Sequence, residues 1–394
     1  MENIPKHFQL IIHENIKTNN AKIDYRFKII YTIAMFSVLA DHLKGKASIE
    51  LNIQGWFHYP SFHMPLFMFS AGYFFKIKNI NYTCDYIIRK FRRLILPIYI
   101  YNIFYGFYIQ FLKKLGFRNN IRPFTFRIIF IEPLGGCGFQ HIHPSWFSSS
   151  LFFVEMYNIT KRKLISYIKK EQHESIYFMI DGFISSVSVI LANKGYNKFI
   201  LSIHILRFLH LNIYYQFGIL FRKHLELFFK NIKTDLYYLF IFMHKLCIHI
   251  YFAKMPVFFY GGNYYFNYSP YTVIIVSILG ILFWLRTAEV IEPILGNNFY
   301  INIIADNTFS IMMNHFLAID IVKACFYFIS QKTKYCKDFD LNRYYSMDFS
   351  YIYIPYNILQ IGIIYILNCF FLPIIIQKII NKIKNKILKL YRSK

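Results

Sequence analysis

Apolar stretches of bilayer length recur along this chain, separated by short polar connections. A span takes about twenty mostly apolar residues, and by that measure candidates lie near 27–43, 56–75, 94–112, 145–160, 176–193, 199–221, 236–253, 271–290, 301–329 and 351–377. The pattern predicts an all-α protein, a polytopic membrane bundle of about ten helices. Met1 to Arg26 is polar and shows no cleavable signal peptide, so the first helix is expected to direct insertion. No internal repeat, low-complexity linker or separate soluble domain stands out. The expected organisation is a cytoplasmic segment over 1–26, a membrane domain over 27–377 and a basic cytoplasmic tail over 378–394.

The polar connections fix an expected orientation. Lys76, Lys78, Arg89, Lys90, Arg92 and Arg93 fall in 76–93, five cations fall in 161–170, and Arg222, Lys223, Lys230 and Lys233 fall in 222–233. These alternate as cytoplasmic loops do, which places both termini inside together with the basic tail. The connection 113–144 breaks the rule, since it carries Lys113, Lys114, Arg118, Arg122 and Arg127 on the expected outer side.

Composition agrees with a membrane protein. The 394 residues are 56% hydrophobic, 21% aromatic and only 16% charged, with mean hydropathy +0.33. A net charge of +25 would suggest nucleic acid in a soluble chain, but here the cations sit between apolar runs and at the carboxyl end, where topology explains them. Cys84, Cys137, Cys247, Cys325, Cys336 and Cys369 form no CxxC pair and no metal spacing; Cys325 and Cys336 either bridge or stay free. Asn-x-Ser/Thr triplets at Asn81, Asn158 and Asn267 are expected by chance in so asparagine-rich a chain.

The chemistry-bearing residues are histidines at the edges of apolar segments. His42 closes the run Ile29 to Leu39, and His63 opens Phe62-His63-Met64-Pro65-Leu66-Phe67-Met68-Phe69-Ser70-Ala71-Gly72-Tyr73-Phe74-Phe75. Ionisable groups in such places are costly and functional by default, although a structural hydrogen bond is the plainer role for one alone. Pro65 removes a backbone hydrogen bond and invites a kink; Ser70 and Gly72 allow close helix approach. His141 and His143 alternate in the outer loop and, without a third ligand, are expected to be solvated rather than metal-bound.

These segments resemble the acyltransferase-3 family, integral membrane O-acyltransferases of surface glycans. The resemblance rests on the two histidine helices, on Arg92-Arg93-Leu94-Ile95-Leu96-Pro97, on Trp146-Phe147 opening the fourth helix, and on Ala305-Asp306-Asn307-Thr308-Phe309-Ser310-Ile311-Met312-Met313-Asn314-His315. Tyr214 to Lys223 likewise looks like the end of that family's sixth helix. It implies His42, His63 and His315 as catalytic residues and Arg89, Arg92, Arg93, Trp146, Ser70 and Asn314 as substrate-binding residues. Arg92 or Arg93 would meet phosphates of an acyl-coenzyme A donor, a task suited to guanidinium. One position departs: where the family places Arg or Lys eleven residues before the first histidine, this chain has Tyr31, with Lys28 and Arg26 the nearest cations.

The implied activity is transfer of an acyl group, acetyl foremost, from acyl-CoA to a hydroxyl of a cell-surface or extracellular polysaccharide or its lipid-linked precursor. His42 would be the general base, supported by His63 or His315. Acyl-CoA, a glycan acceptor and the bilayer are the expected partners, without metal, tightly bound cofactor or nucleic acid, and a bacterial inner membrane is the expected location. A coenzyme A donor inside and histidines towards the outside require either a channel or a covalent acyl relay. A polysaccharide flippase, polymerase or other multi-pass transporter is the alternative, and a catalytically silent relative is a third possibility that Tyr31 keeps open.

Overall fold

A computed structural model describes residues 23–43, 55–76, 83–117, 122–168, 173–256, 258, 264–348 and 351–392. Most of Met1 to Arg26, on which the absence of a signal peptide was read, lies outside them. Among the described residues the architecture is all-helical, and a helix overlaps every predicted apolar stretch. We number them α1 (Tyr25–His42), α2 (Tyr59–Tyr73), α3 (Thr83–Lys114), α4 (Ser145–Ile168), α5 (Glu174–Asn193), α6 (Ile200–Leu220), α7 (Glu226–Asn231), α8 (Thr234–Phe252), α9 (Pro270–Leu295), α10 (Phe299–Asp306), α11 (Thr308–Lys332), α12 (Leu341–Tyr345) and α13 (Gly362–Arg392).

Among the described residues, five helices are long and apolar enough to cross a membrane: Thr83–Lys114, Glu174–Asn193, Pro270–Leu295, Thr308–Lys332 and Gly362–Ile387. The others fall short of that measure. α2, with 15 residues, is only about 22 Å long at 1.5 Å per residue.

Several expected boundaries move. The third helix starts at Thr83 instead of 94, so Arg89, Lys90, Arg92 and Arg93 ride on a helix that passes through a π turn at Phe91–Ile95. The expected span 301–329 is divided at Asn307, whose side-chain amide donates to the Ile303 carbonyl at 2.7 Å, between α10 and α11. Residues 351–361 contain only short 3-10 turns before α13 begins at Gly362. α13 then continues through the basic residues to Arg392 without a break at 378. Cys325 and Cys336 are free thiols.

α2 lies at the centre, packed against α1, α6 and α9. A Cβ on Gly72 would fall 1.8 Å from the Tyr215 carbonyl oxygen, and one on Gly218 would fall 2.1 Å from that of Phe69. The two glycines thus let α2 and α6 meet backbone to backbone, as small residues do between membrane helices. Pro65 lacks the N–H that would bond to the Ser61 carbonyl four residues earlier. That carbonyl instead accepts from the Ser277 hydroxyl of α9 at 2.7 Å, so the gap is closed by a neighbouring helix.

Several buried charges are paired. Arg162 of α4, wholly buried, donates to both Glu174 carboxylate oxygens at 3.0 and 2.5 Å, to Asn158 at 3.0 Å and to Gln216 at 3.3 Å. Glu174 also accepts from Gln216 at 2.8 Å and from Lys223. Asp181 pairs with Lys161, and Glu155 with Lys90 at 2.6 Å. At the start of α1, Arg26 binds Asp24, Glu226 and Glu289 at 2.6, 2.9 and 3.0 Å.

Candidate functional site

His42, the last residue of α1, retains exposed surface. Its ring stacks on that of His315 of α11, with centroids 5.0 Å apart and planes at 29°, and meets Phe316 edge-on at 4.9 Å. His63 of α2 and His143 of the loop before α4 lie within electrostatic reach of His42. Four imidazoles from distant parts of the chain therefore share one region. Residues 44–54, which follow His42, lie outside the described residues.

The backbone sets the tautomers of two of these rings. His315 Nδ1 donates to the Met312 carbonyl at 2.8 Å and to that of Ile311 at 3.2 Å. A carbonyl can only accept, so the proton sits on Nδ1 and the lone pair on Nε2. That Nε2 is buried with no hydrogen-bond partner. His63 Nδ1 donates in the same way to the Tyr59 carbonyl one turn back, again leaving Nε2 as the basic nitrogen. Neutral imidazoles held with Nε2 available are suited to take a proton from a hydroxyl.

A cavity of about 330 Å³ extends along the inner faces of α1, α2 and α11, within the usual size range of ligand pockets. Its α1 wall runs from Lys28 through Tyr31 and Met35 to Val38, one turn short of His42. Its α11 wall holds Thr308, Phe309 and Met312, three residues before His315, and its α2 wall reaches Met64, next to His63. At the far end stand Lys28, Arg93 and Asp306. The passage is mostly apolar, carries Lys28 and Arg93 at one end, and at the other stops short of the histidine cluster, within about a helical turn of His42 and His315 in sequence.

The cavity accounts for the cations around Tyr31. Tyr31 stacks on Phe67 at 5.9 Å, and Arg93 lies within electrostatic reach of its hydroxyl. Lys28 pairs with Asp306 at the cavity, whereas Arg26 is held by three carboxylates elsewhere. Arg93 and Lys28 thus supply positive charge beside Tyr31. Arg89 and Arg92 are exposed on the same helix and are not among the residues lining the cavity.

The remaining expected site residues are held by other contacts. Ser70 donates to the Leu66 carbonyl at 2.8 Å in its own helix. Asn314 donates to the Ser310 carbonyl at 2.8 Å and accepts from the Tyr105 hydroxyl at 3.0 Å. Trp146 is buried, with the Arg207 guanidinium 4.6 Å from its ring centre.

His141 and His143 correct the sequence expectation of solvated loop histidines. His141 is wholly buried: Nε2 meets Asp320 at 2.6 Å, and the ring stacks on Tyr105 at 5.2 Å. His143 Nδ1 donates to the Gly136 carbonyl at 3.1 Å. Burial and the neighbouring Arg207 hold His143 below the ordinary imidazole range, against the opposing effect of that hydrogen bond. The loop folds inward because Arg207 donates to the Gly135 carbonyl at 3.2 Å and Gly136 adopts a left-handed turn at φ 76°. Two imidazoles after a Gly-Gly pair are the sequence signal that could have shown this, but their partners Arg207 and Asp320 are distant in the chain.

No group of three or more His, Cys, Asp and Glu suited to a metal occurs among the described residues. Compared with known proteins, the chain matches no protein-family model, no curated protein and no solved structure.

Proposed function

We propose that this chain is a multi-pass membrane O-acyltransferase that moves an acyl group, acetyl in the first instance, from acyl-CoA to a hydroxyl of a surface polysaccharide or its lipid-linked precursor. The observation that carries the reading is a cavity with Arg93 and Lys28 at one end and Val38, Met64 and Met312, close in sequence to His42, His63 and His315, at the other. It is what a thioester donor needs: cations for phosphates, an apolar passage for a slender arm and bases at the end. The resemblance of the histidine helices and of Arg92-Arg93-Leu94 to the acyltransferase-3 family supports the same activity.

In this reading ten helices cross the membrane with both termini inside, so that Arg93 faces the coenzyme A pool. His42 Nε2 accepts the acceptor hydroxyl proton as the oxygen attacks the thioester carbonyl. The tetrahedral oxyanion is stabilised by a neighbouring donor and collapses with loss of the thiolate, which takes up the proton from His42. His315 and His63 orient His42 and shape its surroundings.

Mass spectrometry of surface-glycan O-acetylation, in cells with the intact chain, His42→Ala or neither at matched membrane levels, tests this directly. Acetyl groups present with the intact chain and lost with His42→Ala are expected. Unchanged acetylation with altered glycan length or export would replace the proposal by a polymerase or flippase.

A further inference from the structure

A second cavity, of about 320 Å³, sits further along α11. The first cavity reaches Met312 and the second begins at Asp320, with His315 between them; at 1.5 Å per residue those edges are about 12 Å apart along the helix. Its walls are aromatic. Tyr327 and Tyr344 stack with centroids 5.0 Å apart, and Phe117 lies 5.1 Å from both Tyr344 and Tyr345. The Tyr327 and Tyr345 hydroxyls meet at 2.8 Å. At its inner edge Asp320 binds Lys323 at 2.6 Å and, through its other oxygen, His141 at 2.6 Å. Gln140, next to His141, donates to the Met347 carbonyl at 2.7 Å and ties the loop to the cavity wall.

The lining chooses among ligand classes. One carboxylate and one ammonium, already paired, leave no surplus charge to hold a nucleotide or phosphate. A lipid chain would press hydrocarbon against both ions, which is unfavourable. A neutral ligand with apolar C–H faces and hydroxyl edges suits both: its faces lie on tyrosine rings, and its hydroxyls bond to Asp320, Lys323 and the phenols. We infer that this cavity is a saccharide-binding site, and that it presents a sugar hydroxyl towards the histidine cluster by way of the Asp320–His141 edge. As an acceptor site it rests on the acyltransferase reading; as a sugar site it stands separately.

Saturation-transfer NMR on the full chain in nanodiscs tests it, using maltotetraose, chitotetraose and the mild-acid oligosaccharides of the expressing cell's envelope as probes. Saturation of at least one probe by the intact chain is expected, with affinity about tenfold weaker in Tyr344→Ala, the loss of one stacking face. Coenzyme A binding, measured in parallel, should be unchanged in the variant and so reports its folding. Phe117→Ala, which removes the ring packed edge-on against Tyr344, replaces Tyr344→Ala if the latter fails to fold. No probe bound by the intact chain, or binding indifferent to both variants, overturns the sugar site. Sugar binding lost in Tyr344→Ala without any acyl transfer by the intact chain keeps the site and removes the acyltransferase; acyl transfer with sugar binding indifferent to the variants does the reverse.

Discussion

Two buried polar clusters in this molecule are built on opposite rules. Around Arg162, Glu174 and Gln216 the charges answer one another: the guanidinium meets both carboxylate oxygens, an asparagine and a glutamine, and Lys223 completes the set. Around His315 the backbone takes Nδ1 and leaves Nε2 buried without a partner. A satisfied network rigidifies but has nothing left to offer a substrate, while an orphaned basic nitrogen costs stability and is available for chemistry. The difference separates the network that ties these helices together from the histidine cluster proposed as the site.

That separation can be broken by experiment. His315→Ala, which removes the ring stacked on the proposed base His42, should lower transfer by about 10²-fold, the scale of a mispositioned catalytic group, with no fall in the amount of folded chain. Equal loss of activity and folded protein would erase the distinction. Arg162→Met leaves Glu174 to Lys223 and Gln216 and should cost about 2 kcal/mol for the lost charge-assisted bonds, read as a lower melting temperature in detergent, while the fraction that stays folded retains its donor KM. Arg93→Ala should raise the donor KM about tenfold, one charge-assisted contact, and leave kcat nearly unchanged; a kcat effect alone would move Arg93 out of donor binding. Ser277→Ala unpairs the Ser61 carbonyl and should cost about 1 kcal/mol in the same melt.

The smallest effect concerns pH. Because His143 in the fold takes up a proton less readily than an ordinary imidazole, the unfolded chain binds that proton first. Its contribution to stability is therefore full above about pH 6.5 and falls as pH drops from there towards its folded value. His143→Asn should flatten that slope, and an unchanged slope would assign it to other groups.

The helices were legible because apolar length is a local property, and His42, His63 and His315 were legible because a histidine inside an apolar run is conspicuous on its own. What escaped was set by partners far apart in the chain. The burial of His141 depends on Asp320 and that of His143 on Arg207, neither of which its own neighbourhood announces. The break at Asn307 and the π turn at Phe91–Ile95 escaped for a different reason: a change in backbone hydrogen-bond register leaves no mark on the spacing of apolar residues. Lys28 and Arg26 looked interchangeable beside Tyr31, and only the positions of Asp306, Glu226 and Glu289 separate them.

The brevity of α2 bears on how the chain is made. At 15 residues it is too short to settle across a bilayer by itself, and its proline leaves a carbonyl that only Ser277 of α9 closes. Its glycine partner in α6 is Gly218. His63 comes long before either helix in the chain, so α2 completes its packing only after both neighbours are made. Biogenesis of this chain is for that reason non-sequential at its centre, and a fragment ending before Ile200 would leave the histidine helix without a home.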